Sequence, residues 1–163
     1  MILLACADSR WGIGSGGRRP VTVPEDIRRF QAVTAGGAVI FGRRAAASLP
    51  QGLFLDNCRR IVLSRREETA LRGWQRAGSV EEALRMTADL PSDKVFAAGG
   101  ESVYRALLPF CDKALITRLD YRYACDAYMP DLDREEGWAL VEESDEKTYF
   151  DIIYTFCVYQ RTL

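Results

Sequence analysis

One carboxylate stands where ligand recognition or acid–base chemistry could use it. Between Cys6 and Phe30 the chain reads Cys6-Ala-Asp-Ser-Arg-Trp-Gly-Ile-Gly14, then a glycine-rich loop to Arg19-Pro20, then Val23-Pro-Glu-Asp-Ile-Arg-Arg-Phe30. Asp26 falls in the first turn of a helix and faces the same way as Ile27 and Phe30, along a mostly apolar stripe. A carboxylate in an apolar pocket is costly to keep ionised unless it has a task. The plainer reading is a helix-start acid set against the macrodipole. The chain holds no histidine, so no imidazole can carry proton transfer. Thr117, central in Ala114-Leu-Ile-Thr-Arg-Leu119, offers a hydroxyl, and a lone strand threonine is also simply a good strand former.

Two junctions could receive phosphate groups. Ala98-Gly99-Gly100-Glu-Ser-Val-Tyr104 has the strand–glycine–helix context in which a phosphate can approach backbone amides. Gly42-Arg43-Arg44 is a second such junction, with cations attached. The alternative for Gly99-Gly100 is a tight packing turn. Gly12-Ile-Gly14-Ser-Gly16-Gly17 formally matches a dinucleotide fingerprint, but that motif must join a strand directly to a helix. Here Arg18-Arg-Pro20 intervenes and the helix waits until Pro24, so the segment reads as a flap beside a site.

The elements that position these groups follow from periodicity. Ile2–Ala7 is a nearly continuous apolar run, suited to a strand buried on both faces. Pro24 opens a helix that Gly36-Gly37 ends. Strands are predicted at 38–41, 60–64, 94–98 and 113–119, and helices after Gly42, over Val80 to Leu90 behind a Ser79-Val-Glu-Glu82 capping box, and from Gly100 to Leu108. Trp138 to Glu143 and Thr148 to Arg161 follow with no helix between them and read as an antiparallel hairpin. The β–α alternation before them reads as parallel units. The expected fold is α/β, one domain over 1–163, with a mostly parallel mixed sheet and helices on both faces.

Bulk properties narrow the partners. The 163 residues are 48% apolar and 28% charged with a net charge of -1, which gives no reason to expect nucleic acid or an acidic membrane. Arginine pairs recur at 18–19, 28–29, 43–44, 59–60 and 65–66; most read as solvated faces, but a phosphate-rich cofactor would need some of them. Five cysteines without a C-x-x-C suggest neither a disulfide framework nor a metal site, and reduced thiols imply a cytoplasmic protein. Leu3-Leu-Ala-Cys6 has no charged or apolar region before it and is not expected to be a lipoprotein leader.

Taken in order, these segments resemble the dihydrofolate reductase family of the single-domain chromosomal type. The matching residues are Trp11-Gly-Ile-Gly14, Val23-Pro-Glu-Asp26 with Phe30, Val39-Ile-Phe-Gly-Arg43, Ile61-Val-Leu-Ser64, Gly99-Gly100 with Val103-Tyr104, Leu115-Ile-Thr117 and Asp126-Ala-Tyr-Met-Pro130. The resemblance implies an eight-stranded, mostly parallel sheet ending in an antiparallel hairpin, NADPH as hydride donor, and dihydrofolate as substrate of a monomer. It places Asp26 on the pterin-binding carboxylate, which suits an edge with two parallel N–H donors, and Thr117 on the hydroxyl that supports it. Leu4, Ala5, Cys6, Ile27, Phe30 and Leu49 would wall the pterin and its aryl tail. Ala5, Ile13, Gly14 and Tyr104 would meet the nicotinamide. Arg43, Arg44, Ser64 and Arg65, beside Gly42, Ala45 and Leu63, would lie near the adenosine phosphates. Gly99, Gly100, Glu101, Ser102 and Val103 would lie near the pyrophosphate.

The chain departs from the family pattern at four positions. Val21 replaces a common tryptophan, and Ala45 a threonine that contacts pyrophosphate. Cys58 stands where an arginine grips the glutamate tail of folate, and Arg60 where asparagine is usual. Two other readings stand beside the reductase. One is a pyrimidine reductase of riboflavin synthesis with the same fold, against which Asp26 and Thr117 argue. The other is a non-catalytic pterin- or nucleotide-binding protein.

Overall fold

The computed structural model describes residues 1–67 and 71–162. Its strands are β1 (Ile2–Ala7), β2 (Gly12–Gly14), β3 (Ala38–Gly42), β4 (Arg59–Leu63), β5 (Gln75–Ala77), β6 (Val95–Gly99), β7 (Lys113–Leu119), β8 (Ala127–Tyr128), β9 (Trp138–Glu143), β10 (Lys147–Tyr149) and β11 (Ile152–Arg161). The helices are α1 (Pro24–Thr34), α2 (Arg43–Ala47), α3 (Val80–Met86) and α4 (Glu101–Leu107). Eight strands run in the order β10-β11-β7-β1-β6-β3-β4-β5, and β9 also pairs with β11. Pairings from β7 to β5 are parallel; those of β11 with β7, β9 and β10 are antiparallel. The expected mixed sheet with its terminal hairpin is the observed one.

Alternation along the central strands divides the core. Leu3, Ala5, Ile40, Ile61, Ala97 and Ile116 point to the face covered by α3 and α4. Ile2, Leu4, Val39, Phe41, Val62, Phe96 and Ala98 point to the face covered by α1, where Ile27 and Phe30 meet them. A strand buried on both faces must be apolar at every position, which is why β1 reads as an unbroken run.

Three expectations need correction. The segment 148–161 is not one strand: Phe150, with φ 54, turns the chain between β10 and β11. The turn carries no glycine or asparagine, so the apolar periodicity of Tyr149-Phe-Asp-Ile152 runs through it unmarked. The third helix stops at Met86 rather than Leu90, where Thr87 turns its hydroxyl back to the carbonyl of Ala83. Its capping box is displaced: Ser79 Oγ accepts from the Glu82 amide, but the Glu82 carboxylate accepts from the Gly78 amide instead of that of Ser79. The short strands β2, β5 and β8 are too brief and polar to show a period of two.

Gly37 marks the entry to β3 beside β6. A Cβ there would lie 2.3 Å from the Lys94 carbonyl oxygen, a backbone atom that cannot yield alone. Gly37→Ala is expected to lower unfolding stability by about 1–3 kcal/mol, read as a lower urea midpoint at unchanged m-value.

Candidate active site

Helix α1 begins at Pro24, whose missing N–H loses nothing at a first helical position. No side chain caps this end, and Glu25 and Asp26 stand in the first turn. Asp26 is only 6% exposed and looks across the sheet to β7, where Thr117 is 1% exposed. Thr117 Oγ1 donates to Asp26 Oδ1 at 2.6 Å. Register places Thr117 directly beside Cys6 of β1. Burial, and then the nearby Asp26 charge, push the Cys6 thiol upward, so it stays protonated and acts as wall rather than nucleophile.

The second carboxylate oxygen has a partner that the sequence did not reveal. Arg19 Nη1 donates to Asp26 Oδ2 at 2.7 Å. Burial alone would lower the Arg19 pKa, but the Asp26 charge, joined by Cys6, Tyr104 and the hydrogen bond to Asp26, makes the net direction upward. The only sign in the sequence was the Arg18-Arg19 pair itself, indistinguishable there from a solvated face.

The flap that delivers Arg19 is fixed at both ends. Asp8, 1% exposed, accepts from the amides of Arg10, Gly12 and Tyr123. It thereby joins the turn after β1 to the loop before β8. β2 pairs with β8, and the Gly16 amide donates to Asp126 Oδ2 at 3.1 Å. On the other side the single Ser48 hydroxyl proton lies within reach of both the Gly17 carbonyl at 3.0 Å and the Arg44 carbonyl at 2.8 Å. Asp8, Ser48 and Asp126 went unmarked as site residues because their roles lie in contacts across the chain.

Beneath the flap runs a groove of ≈ 950 Å³. It gathers Cys6, Ile13 and Gly14 from the first strands, and Gly42, Arg43, Arg44 and Ala45 from the α2 junction. Leu63, Ser64 and Arg65 come from the end of β4, and Gly99, Gly100, Glu101, Ser102 and Tyr104 from the α4 junction. Among the described residues, Arg18, Arg43, Arg44, Arg65 and Arg66 have no carboxylate within ion-pair distance. Gly99 has φ +120, and a Cβ on it would meet the Tyr104 hydroxyl at 3.1 Å. That hydroxyl donates within reach of the Leu4 and Ala98 carbonyls and is held up from its ordinary pKa by burial. The Glu101 carboxylate accepts from the Tyr128 amide and faces Arg105. A donor set of cations and open glycine backbone, where nothing lies within 4 Å of a Cβ placed on Gly100, fits a ligand with several phosphates.

Not every predicted residue opens onto this groove. Val103 is buried behind Gly42, and Ala5 points into the opposite core. Leu4, Ile27 and Phe30 pack together with Leu53 and Leu55, with Leu49 at their margin. They form an apolar wall adjoining Asp26, and the Arg19 side chain lies between Asp26 and the groove.

The family profile described as dihydrofolate reductase matches residues 1–161. This chain belongs to the dihydrofolate reductase family. It is 32% identical to the dihydrofolate reductase of Neisseria gonorrhoeae over 159 residues, covering 97% of this chain and 95% of that protein. It is 37% identical to that of Mycobacterium tuberculosis (strain ATCC 25618 / H37Rv) over 130 residues, 77% and 76% of the two chains. Against that of Bacillus subtilis (strain 168) the identity is 28% over 153 residues, 91% and 87%. Membership makes the chain an oxidoreductase and implies a nicotinamide cofactor. The cationic groove offers the right donors for the phosphates of such a cofactor.

The Asp26–Thr117 bond joins α1 to β7 in a buried setting. Thr117→Val keeps the shape and removes the donor to Oδ1. The expected loss is about 1.5–3 kcal/mol of unfolding stability, the usual worth of a hydrogen bond to a charged group, measured by denaturant titration of the ligand-free protein.

Proposed function

We propose that this protein reduces 7,8-dihydrofolate to 5,6,7,8-tetrahydrofolate with NADPH. The observation that carries the reading is a buried carboxylate, Asp26, supported by Thr117 and bonded to Arg19, which lines a cationic groove. A pterin ring presents two parallel N–H donors, which match a carboxylate bidentately. Asp26 fixes the ring and, as an anion beside it, raises the basicity of N5. Thr117 holds the carboxylate in that orientation. Leu4, Cys6, Ile27, Phe30 and Leu49 exclude water from the ring and its aryl tail. NADPH supplies the hydride for C6 when bound. Arg43, Arg44 and Arg65 hold its 2′-phosphate, the turn from Gly99 to Ser102 holds its pyrophosphate, and Ile13, Gly14 and Tyr104 meet the nicotinamide. With no histidine in the chain, the proton for N5 comes from water admitted at the flap from Gly14 to Arg19.

Purified protein is expected to consume NADPH only when dihydrofolate is present, and to prefer NADPH clearly over NADH. Asp26→Asn keeps the shape but turns an anionic acceptor into a neutral amide; it should fold and lose at least about 100-fold in turnover. Wild-type turnover in that variant would remove Asp26 from the mechanism, and no turnover in the wild type would remove the reaction.

The tail of the substrate has a weaker grip here. Cys58 donates to the Leu55 carbonyl and lies within hydrogen-bond reach of Thr34, and a thiol cannot clamp a carboxylate. Arg59 does not replace the missing cation: it forms a two-point contact with Asp89 and bonds the Met86 carbonyl. Arg29 lies over the Phe156 ring, 4.3 Å from its centroid. The Arg60 guanidinium packs against Gly73. Cys58→Arg is expected to lower KM for dihydrofolate by about 10- to 100-fold with little change in kcat, and to leave KM for a pterin lacking the glutamate unchanged. An unchanged KM for dihydrofolate would mean that the wild type already holds the tail.

A further inference from the structure

The contact between Arg19 and Asp26 occupies the oxygen that the ring edge would use. Thr117 donates to Oδ1, which has a second lone pair to offer, but a bidentate ligand edge needs both oxygens from the open side, and there the Arg19 guanidinium sits on Oδ2 at 2.7 Å. A guanidinium and a 2-aminopyrimidine edge are the same kind of donor: parallel N–H groups on one carbon, aimed at one carboxylate. Each is a planar group that approaches the same side of the carboxylate, so the two compete for that space. Beyond the base held by Asp8 and the β2–β8 pairing, the tip of the flap is attached by exposed bonds, Gly16 to Asp126 and Ser48 to Gly17, which water can replace. The ion pair at Asp26 is the buried one, with side-chain exposures of 21% and 9%.

We propose that Arg19 is a tethered competitor for the ligand edge: the flap latches onto Asp26 in the free protein, and a ligand must evict Arg19 to bind. The proposal rests on Asp26 being the ligand-binding carboxylate. The latch lowers apparent affinity by the fraction of molecules in which it is shut. By reciprocity, a ligand on Asp26 frees the flap, and anything that holds the flap shut weakens the ligand. Arg19 thereby sets the affinity of the recognition site from a loop outside the apolar wall, and the first consequence of ligand binding is release of a cation at the mouth of the groove.

The test uses the free protein and one small probe, 2,4-diaminopyrimidine, which carries the donor edge without a tail. Amide hydrogen exchange of residues 16–19 is measured without ligand in the wild type, Arg19→Met, Arg19→Lys and Asp26→Asn. The probe's Kd is measured for the wild type and the two Arg19 variants. Faster flap exchange is expected in Arg19→Met and Asp26→Asn alike, with the probe binding Arg19→Met about 10- to 100-fold tighter, the worth of one charge-assisted hydrogen bond. Arg19→Lys, which keeps a cation but loses the planar fork, should fall between wild type and Arg19→Met, and it reports the same trend if the methionine variant folds poorly. Flap exchange unchanged in both Arg19→Met and Asp26→Asn would overturn the latch. Faster exchange with equal or weaker probe binding would overturn the competition. A probe that binds none of the proteins, with exchange still accelerated, would leave the latch standing and remove Asp26 as the ligand carboxylate.

Discussion

A charge buried at the start of α1 is the constraint on which the site is built. Asp26 cannot be left with unpaired oxygens in an apolar setting, because desolvating a carboxylate without partners costs several kcal/mol. Thr117, ninety-one positions along the chain, answers one oxygen. For the two to meet, β1 must lie beside β7 in its observed register, with Cys6 opposite Thr117. α1 must also pack on the same face through Ile27 and Phe30. The parallel order of the sheet, the approach of the helix and the chemistry of the site are therefore one requirement seen at three scales.

The groove is assembled by a different logic. Its cations come from the ends of β3 and β4 and the start of α2, all of which leave the sheet at the same edge because the strands are parallel. Parallel strands bring their carboxyl ends together, and the loops there collect ligand-binding groups. Arginines that would repel one another in a core remain solvated at this rim.

Much of this was visible in the amino-acid sequence, and the parts that were not share a cause. The buried β1 run, the β–α alternation and the acid on the apolar stripe of α1 are local patterns, and each is found where it was expected. The strand-to-helix turns at Gly42 and Gly99-Gly100 were legible because a glycine between a strand and a helix has few uses. The pairing of Arg19 with Asp26 was not legible. It depends on how the flap is tied to Ser48 and Asp126, residues 31 and 110 positions from their flap partners. The turn at Phe150 was hidden for the opposite reason: tertiary pairing of β10 with β11 imposes a left-handed conformation on a residue type that rarely signals one.

The ends of the sheet have a consequence for behaviour in concentrated solution. An open strand edge is a template on which a second chain can add itself. Here β5 and β10 offer only three residues each, and β10 begins with a lysine. β9, the longer edge, carries Glu142 and Glu143 and meets β11 through a register shift at Val158/Tyr159 that breaks its ladder. Each border of the sheet is thus too short, too charged or too irregular to recruit another strand, and self-association by edge pairing is discouraged at every side from which it could begin.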